Sequence, residues 1–377
     1  MTRATLAGRV GSALRNAAGI KQATWYTPFM AAASRAIAER IPLVDFVLDV
    51  RDARIPLSSE CEHLRCLSAS SRRIVVMNKM DLACREHTKE WIRFFDRENY
   101  VAYGINSHNK DDIKEFLNFL QGQVRALKKA DLERHTITMM VVGIPNVGKS
   151  ALVNSLHQIG RISAAEKGKL KRVVVNPLPG ETKSISSLKI ASHPNIYVLD
   201  TPGILPPQIY DIEVSSKVAL TGSLKDCLAG EEVLAQYFLA VLNSSNEYEK
   251  WSKLYTGEDE SSSPADKVGH AYSSEFSAER KRQYSTDHTQ DFIVHDVRRS
   301  LSEAVSSFEG NLENESDMLR LIEVQFGALR EAFRLPMCLS GDVRHKVAVK
   351  LLNLYRTGRL GHYTLDPLPE FGAVEEF

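Results

Sequence analysis

The sequence predicts an α/β fold: a mostly parallel six-stranded sheet with helices on both faces, in circularly permuted order, followed by a small all-α domain. Three observations carry that prediction. Gly143-Ile-Pro-Asn-Val-Gly-Lys149-Ser150 is a complete phosphate-binding loop, set between a strand-like run from Thr138 to Val142 and a helix-like one from Ala151 to Leu156. Asn78-Lys79-Met80-Asp81 follows another apolar run, Arg73 to Met77, and stands ahead of the phosphate loop rather than behind it. Asp200-Thr-Pro-Gly203 ends a third run, Asn195 to Leu199. Loops at the carboxyl ends of strands are where open α/β sheets bind ligands.

Taken in order, segment 1–24 carries Arg3, Arg9, Arg15 and Lys21 among many Ala, Ser and Thr, and no acidic residue precedes Glu39. That is the composition of an organellar transit peptide; the mitochondrion is the expected location and the chloroplast the alternative. Its apolar stretches are too short to span a membrane. The permuted domain is expected over 25–210, beginning with an Ala-rich helix from Phe29 to Arg40 and a first strand within Ile41 to Val50. Tyr100 to Ile105 reads as a strand delivering Asn106-Ser107-His108, and Lys110 to Lys129 as a helix with Ile113, Phe116, Leu117 and Leu120 on one face. Arg161 to Arg172 is a basic loop with five cations against Glu166, either an RNA contact or a solvated loop. A helical domain is expected over 211–377, with helical spacing from Lys217 to Val241, Met318 to Phe333 and Val343 to Tyr355. Between about 243 and 310 apolar periodicity fades, and that insert is expected to be disordered. On the last helix Arg344, Lys346 and Lys350, with Arg356 and Arg359 beyond, are a candidate rRNA face or a charged solvent face.

The motifs specify a nucleotide. Gly143 and Gly148 let the backbone of Asn146, Val147, Gly148, Lys149, Ser150 and Ala151 wrap a phosphate at a helix N-terminus. Lys149 is placed for the β- and γ-phosphates, and the Ser150 hydroxyl for Mg2+. Asp81 can accept hydrogen bonds from the N1–H and 2-amino groups of guanine, which adenine lacks, so GTP and GDP are favoured. Asn78 would reach N7 or tie neighbouring loops, the Lys79 stem would lie along the base beside Met80, and a backbone N–H of the Asn106-Ser107 loop could meet guanine O6. Asp200 would hold the Mg2+ shell, the Gly203 N–H would meet the γ-phosphate, and Thr182 in Pro179-Gly-Glu-Thr182 would close on Mg2+. Lys149 and Thr182 are the expected catalytic groups.

In this cyclic order the chain resembles the YlqF/RbgA family of circularly permuted GTPases, in its organellar branch of mitochondrial ribosome-associated and DAR GTPases. The likeness includes Asp52-Ala-Arg-Ile-Pro56 and the distal Tyr355 to Asp366, and spans roughly 25–243 and 311–367. It implies a Ras-like P-loop domain and a GTPase that helps mature the large subunit of the mitochondrial ribosome. The alternative is a GTP-gated rRNA-binding switch with little hydrolysis of its own. Two departures bear on that choice. Ile204 occupies the place where Ras-like enzymes carry a water-orienting Gln, and Phe29 stands where the family usually has a His. Asn146 offers help of another kind: its side chain either helps hold a potassium ion or braces the loop.

A formal net charge of +1 over 377 residues excludes a global field that would drive nucleic-acid binding, so any RNA surface must be local. Five cysteines without a framework spacing point to a reducing compartment, and Cys61, His63 and Cys66 lack a second ligand pair for zinc. A monomer without membrane insertion is expected.

Overall fold

The computed structural model describes residues 26–65, 72–130, 136–163, 185–207, 209, 211–245, 247–256, 292–336 and 342–369. Strands β1 (Phe46–Asp52) and β2 (Arg73–Asn78) are buried along their whole length, as strands covered on both faces must be. With β3 (Val101–Gly104), β4 (Thr136–Val142), β5 (Ser186–Ser192) and β6 (Asn195–Asp200) they form one sheet in the order β3-β2-β1-β4-β6-β5. Neighbours are parallel except for the β5–β6 hairpin. The chain runs from β1 to an edge at β3, then returns to lay β4 on the other flank of β1. The carboxyl ends of β1 and β4 therefore flank the reversal point, the crevice where such sheets bind ligands.

Helix α1 (Pro28–Arg40) starts at Thr27, whose hydroxyl accepts from the Met30 N–H at 3.3 Å, with Pro in the first turn where a missing N–H costs nothing. It buries Ala33 and Ile37 with Val47, Met140, Val142 and Ile204. Helix α2 (Arg85–Arg97) sets Trp91 and Phe95 against Val75 and Met77. Helices α3 (Lys110–Ala130) and α4 (Lys149–Ser163) pack on each other and bury Phe116, Leu120, Leu152 and Leu156. On the face of β1 shared with Val47 the apolar pattern is broken by Asp49 and Arg51. Asp49 Oδ2 accepts from Arg51 at 2.9 Å and Arg73 at 2.8 Å, and Glu60 accepts from both at 2.7 Å. These charges are tolerated because each is paired, and they anchor the loop after β1 to the sheet.

The described chain forms two units. The sheet unit holds the residues up to Ala229 and again from His362 onward; the helical unit is Gly230–Gly361. The boundary thus lies beyond the expected 210, and the last residues return to the sheet unit. Gly222 and Gly230, at φ of 84° and 83°, explain part of this. Left-handed glycines break the helical run read from Lys217 into α5 (Ile212–Leu220), a four-residue helix at Asp226–Ala229 and α6 (Glu231–Asn243).

In the helical unit α6 is followed by α7 (Glu247–Thr256), α8 (Phe292–Ser306), α9 (Glu315–Ala332) and α10 (Asp342–Arg356). Helices α7 and α8 fall inside the stretch expected to be a disordered insert. Trp251, Val294, Val297 and Leu301 are buried there, the last three at helical spacing within a span whose composition is polar overall. Residues 257–291 lie outside the described residues. Asn243, Tyr248 and Gln325 satisfy one another in the core: Gln325 donates to Asn243 Oδ1 at 2.7 Å, and the Tyr248 hydroxyl donates to the same oxygen at 2.9 Å. Arg344 is spent on Glu323 and Glu232, which subtracts it from the basic face read on the last helix. No helix among the described residues is long and apolar enough to cross a membrane.

Candidate functional site

The phosphate loop links the end of β4 to the start of α4, so its N–H groups lie at a helix N-terminus. Gly148 has a φ of 97°, and a Cβ there would sit 2.2 Å from Asn78 Nδ2, so only glycine lets Asn78 approach. Asn146 is also left-handed, at φ 59°, and its amide donates to Gly222 O at 2.8 Å. Through its Nδ2 the side chain thus braces the loop.

Asn78, the last residue of β2, draws three loops together. Its Nδ2 donates to Val147 O at 2.8 Å, and its Oδ1 accepts from the Ser107 N–H at 3.1 Å and the Ser107 hydroxyl at 2.7 Å. Ser155 in α4 then donates to Ser107 O at 2.8 Å. Of the two uses expected of Asn78, tying loops is the one observed. The Ser107 N–H is consumed in this tie, the Asn106 N–H is donated to Asp112 and the His108 N–H to Asn106 Oδ1. The loop N–H groups expected to offer guanine O6 a donor therefore already have partners. Asp81 is exposed, in the single turn Met80–Leu82 that follows Lys79.

Lys79 takes a left-handed φ of 63° and places Nζ 2.9 Å from Asp52 Oδ2. Asp52 ends β1 and also receives two bonds from the Arg54 guanidinium, at 2.9 and 2.7 Å. Burial would raise the Asp52 carboxyl, but Arg54 and then Lys79 outweigh it and hold it well below the usual carboxylate range. Burial lowers Lys79 as well. In the sequence Asp52 and Arg54 stand only as part of the resemblance. The available signal is an acidic residue at the carboxyl end of a strand-like run with a basic one two residues beyond it, where open α/β sheets bind ligands.

On the phosphate side, Lys149 is buried and its Nζ donates to Ile144 O at 2.8 Å; burial pushes the ammonium down to about 8. Ser150 donates to Asp200 Oδ2 at 2.8 Å, while Asp200 Oδ1 is buried without a partner, and burial pushes this carboxyl up. A hydroxyl beside a buried carboxylate with an unpartnered oxygen is a donor set that suits a hard divalent cation. Gly203 abuts the phosphate loop so closely that a Cβ would lie 2.5 Å from Pro145 Cα. Ile204, 2% exposed, is part of the core against α1 and orients nothing, whereas Phe29 is 69% exposed. Ala151 continues α4 next to Ser150. Thr182, Cys66 and most of the basic loop after Arg161 lie outside the described residues.

A family model described as "50S ribosome-binding GTPase" matches residues 138–268, beginning at β4 and leaving Asn78–Asp81 ahead of the match. The chain is 59% identical over 362 residues to "DAR GTPase 2, mitochondrial" of Arabidopsis thaliana, covering 96% of this chain and 95% of that protein. It is 42% identical over 350 residues to "Short integuments 2, mitochondrial" of the same plant, covering 92% and 89%. It is 34% identical over 224 residues to "Mitochondrial ribosome-associated GTPase 1" of Bos taurus, covering 59% and 66%.

Proposed function

This chain belongs to the family of mitochondrial DAR GTPases, the organellar branch of the YlqF/RbgA-type permuted GTPases, and on that premise we propose that it binds GTP at the β1–β4 crevice and hydrolyses it while assembling the large subunit of the mitochondrial ribosome. The observation that carries the binding reading is Asn78. One side chain joins the phosphate loop at Val147, the Ser107 loop and the turn holding Asp81, three stretches far apart in the chain.

In this reading Asp81 reads the guanine edge, with the Lys79 stem and Met80 beside the base and Asn106 and Ser107 shaping its other side. Backbone N–H groups from Asn146 through Ala151 receive the phosphates, Lys149 meets the β- and γ-phosphates, and the Gly203 N–H reports the γ-phosphate. Ser150, Asp200 and Thr182 would hold Mg2+, on which GTPases of this kind generally depend; when bound it neutralises charge on the phosphate oxygens. Assistance to the attacking water comes from outside the Ile204 position, because that side chain is in the core. Asn146 is the proposed route for potassium, and equal rates in sodium and potassium would remove that part. The protein works as a monomer in the mitochondrial matrix.

The Lys149 ammonium gives a pH signature. Below pH 8 it is protonated in the nucleotide-free chain, and bound phosphates raise it further. GDP affinity is therefore expected to stay flat up to about 8 and then fall by up to about tenfold per pH unit. Titration calorimetry from pH 7 to pH 10 checks this; a flat profile rejects Lys149 as the phosphate ligand.

The function is tested by calorimetry with GDP and ADP, followed by single-turnover GTP hydrolysis with and without mitochondrial large subunits. Guanine preference and stimulation by the subunit are expected. Equal binding of ADP would overturn the nucleotide assignment. Unchanged slow hydrolysis in the presence of the particle would favour a switch timed by nucleotide exchange.

A further inference from the structure

We propose that Asp366, near the chain's end, is a positioning residue for base recognition, holding the Ile55–Ser59 loop and through it Asp52 and Lys79 in the geometry that receives the nucleotide. This rests on the nucleotide reading given above. Asp366 is 5% exposed, and its carboxylate is clasped by that loop: Oδ2 accepts from the Leu57 and Ser58 N–H groups, both at 2.8 Å, and Oδ1 accepts from the Ser58 hydroxyl at 2.6 Å. Lys217 Nζ lies 3.3 Å from Oδ1. Its neighbours are tied in as well. Leu365 N–H donates to Arg54 O at 2.7 Å, and Tyr363 N–H donates to Leu82 O at 3.3 Å, the residue after Asp81.

Two arms lead from this clasp to the proposed nucleotide loops. In the first, Ser59 in the clasped loop accepts from the Asp52 N–H at 3.0 Å, and Asp52 holds Lys79 at 2.9 Å. In the second, Lys217 belongs to α5, and the turn that follows gives Thr221 O to Arg54 at 3.4 Å and Gly222 O to Asn146 of the phosphate loop at 2.8 Å. All of these residues lie in the sheet unit. The chain leaves that unit after Ala229 and rejoins it at His362, so the clasp sits just inside the point of return. A buried carboxylate stripped of its donors is costly, so the contacts stand or fall together. Ordering Lys79 under a base and ordering the clasp are then linked events.

The test uses the full-length chain with GTP and GDP. Asp366→Ala is expected to raise KM for GTP and weaken GDP about tenfold while kcat per folded molecule stays unchanged, and Asp366→Asn to recover part of the loss. In the unmodified chain, GDP is expected to slow hydrogen exchange at the Leu57, Ser58 and Leu365 amides. A variant with normal KM and only a lowered melting temperature, or exchange at those amides indifferent to GDP, overturns the proposal. The exchange measurement decides even if the alanine variant does not fold. Failure of the unmodified chain to bind GDP at all would instead reject the nucleotide assignment.

Discussion

Asp81→Asn is expected to weaken GTP and GDP binding by about 10²- to 10³-fold and to confer binding of xanthosine triphosphate. The carboxylate is exposed in its turn, ready to accept from two donors on one base edge. Asparagine still accepts from N1–H, now without charge, but sets a donor against the 2-amino group; losing one hydrogen bond to a charged group, about 1.5–3 kcal/mol, and weakening the other gives an effect of that size. Asparagine offers one acceptor and one donor, the pattern complementary to xanthine, where an oxygen replaces the 2-amino group. Competition of unlabelled nucleotides against a fluorescent GDP measures both halves. A variant that keeps its GTP affinity would remove Asp81 from the base site.

Asp52→Asn is expected to destabilise the sheet unit by about 3–5 kcal/mol and to abolish nucleotide binding at 37 °C. The substitution preserves shape but leaves the buried Arg54 cation and the half-buried Lys79 cation without their counter-charge. A loss of that size is a large part of the 5–15 kcal/mol that typically holds a domain folded. Because the folded Asp52 carboxyl lies below its unfolded value, its contribution is fully present above the unfolded carboxylate pKa and disappears as pH falls toward the folded one. Urea unfolding of both proteins at neutral pH measures the difference; a change under about 1 kcal/mol would show that the pair is solvated rather than structural.

What the sequence disclosed and what it withheld divide along a physical line. The phosphate loop was legible because glycines, a lysine and a serine must stand at fixed spacing on a strand–loop–helix, and strands such as Arg73–Asn78 announce themselves by continuous apolar residues. The rotated order followed from where Asn78 stands relative to Lys149. The clasp was not legible: Asp366 meets Leu57 across 309 positions, and one acidic residue in a tail carries no local pattern. The same holds for Asn146 and Gly222, 76 positions apart. Helix α8 carries a stripe of its own, Val294, Val297, Leu301 and Ala304, and α7 buries Tyr248 and Trp251; both were missed because the Ser-, Glu- and Lys-rich stretch between them makes the whole span from 243 to 310 look polar. Arg344 read as an open cation because Glu323, its partner, sits on a different helix.

The pairing of β1 with β4 sets a schedule for the nascent chain. Phe46 finds its neighbour only at Met139, so a ribosome must add more than ninety residues before that flank of β1 can close. In the meantime a strand destined to be buried on all sides presents a row of unpaired N–H and C=O groups. Synthesis order and sheet order are at odds here, and the open flank of β1 is the place where a chaperone must shield the chain or aggregation begins.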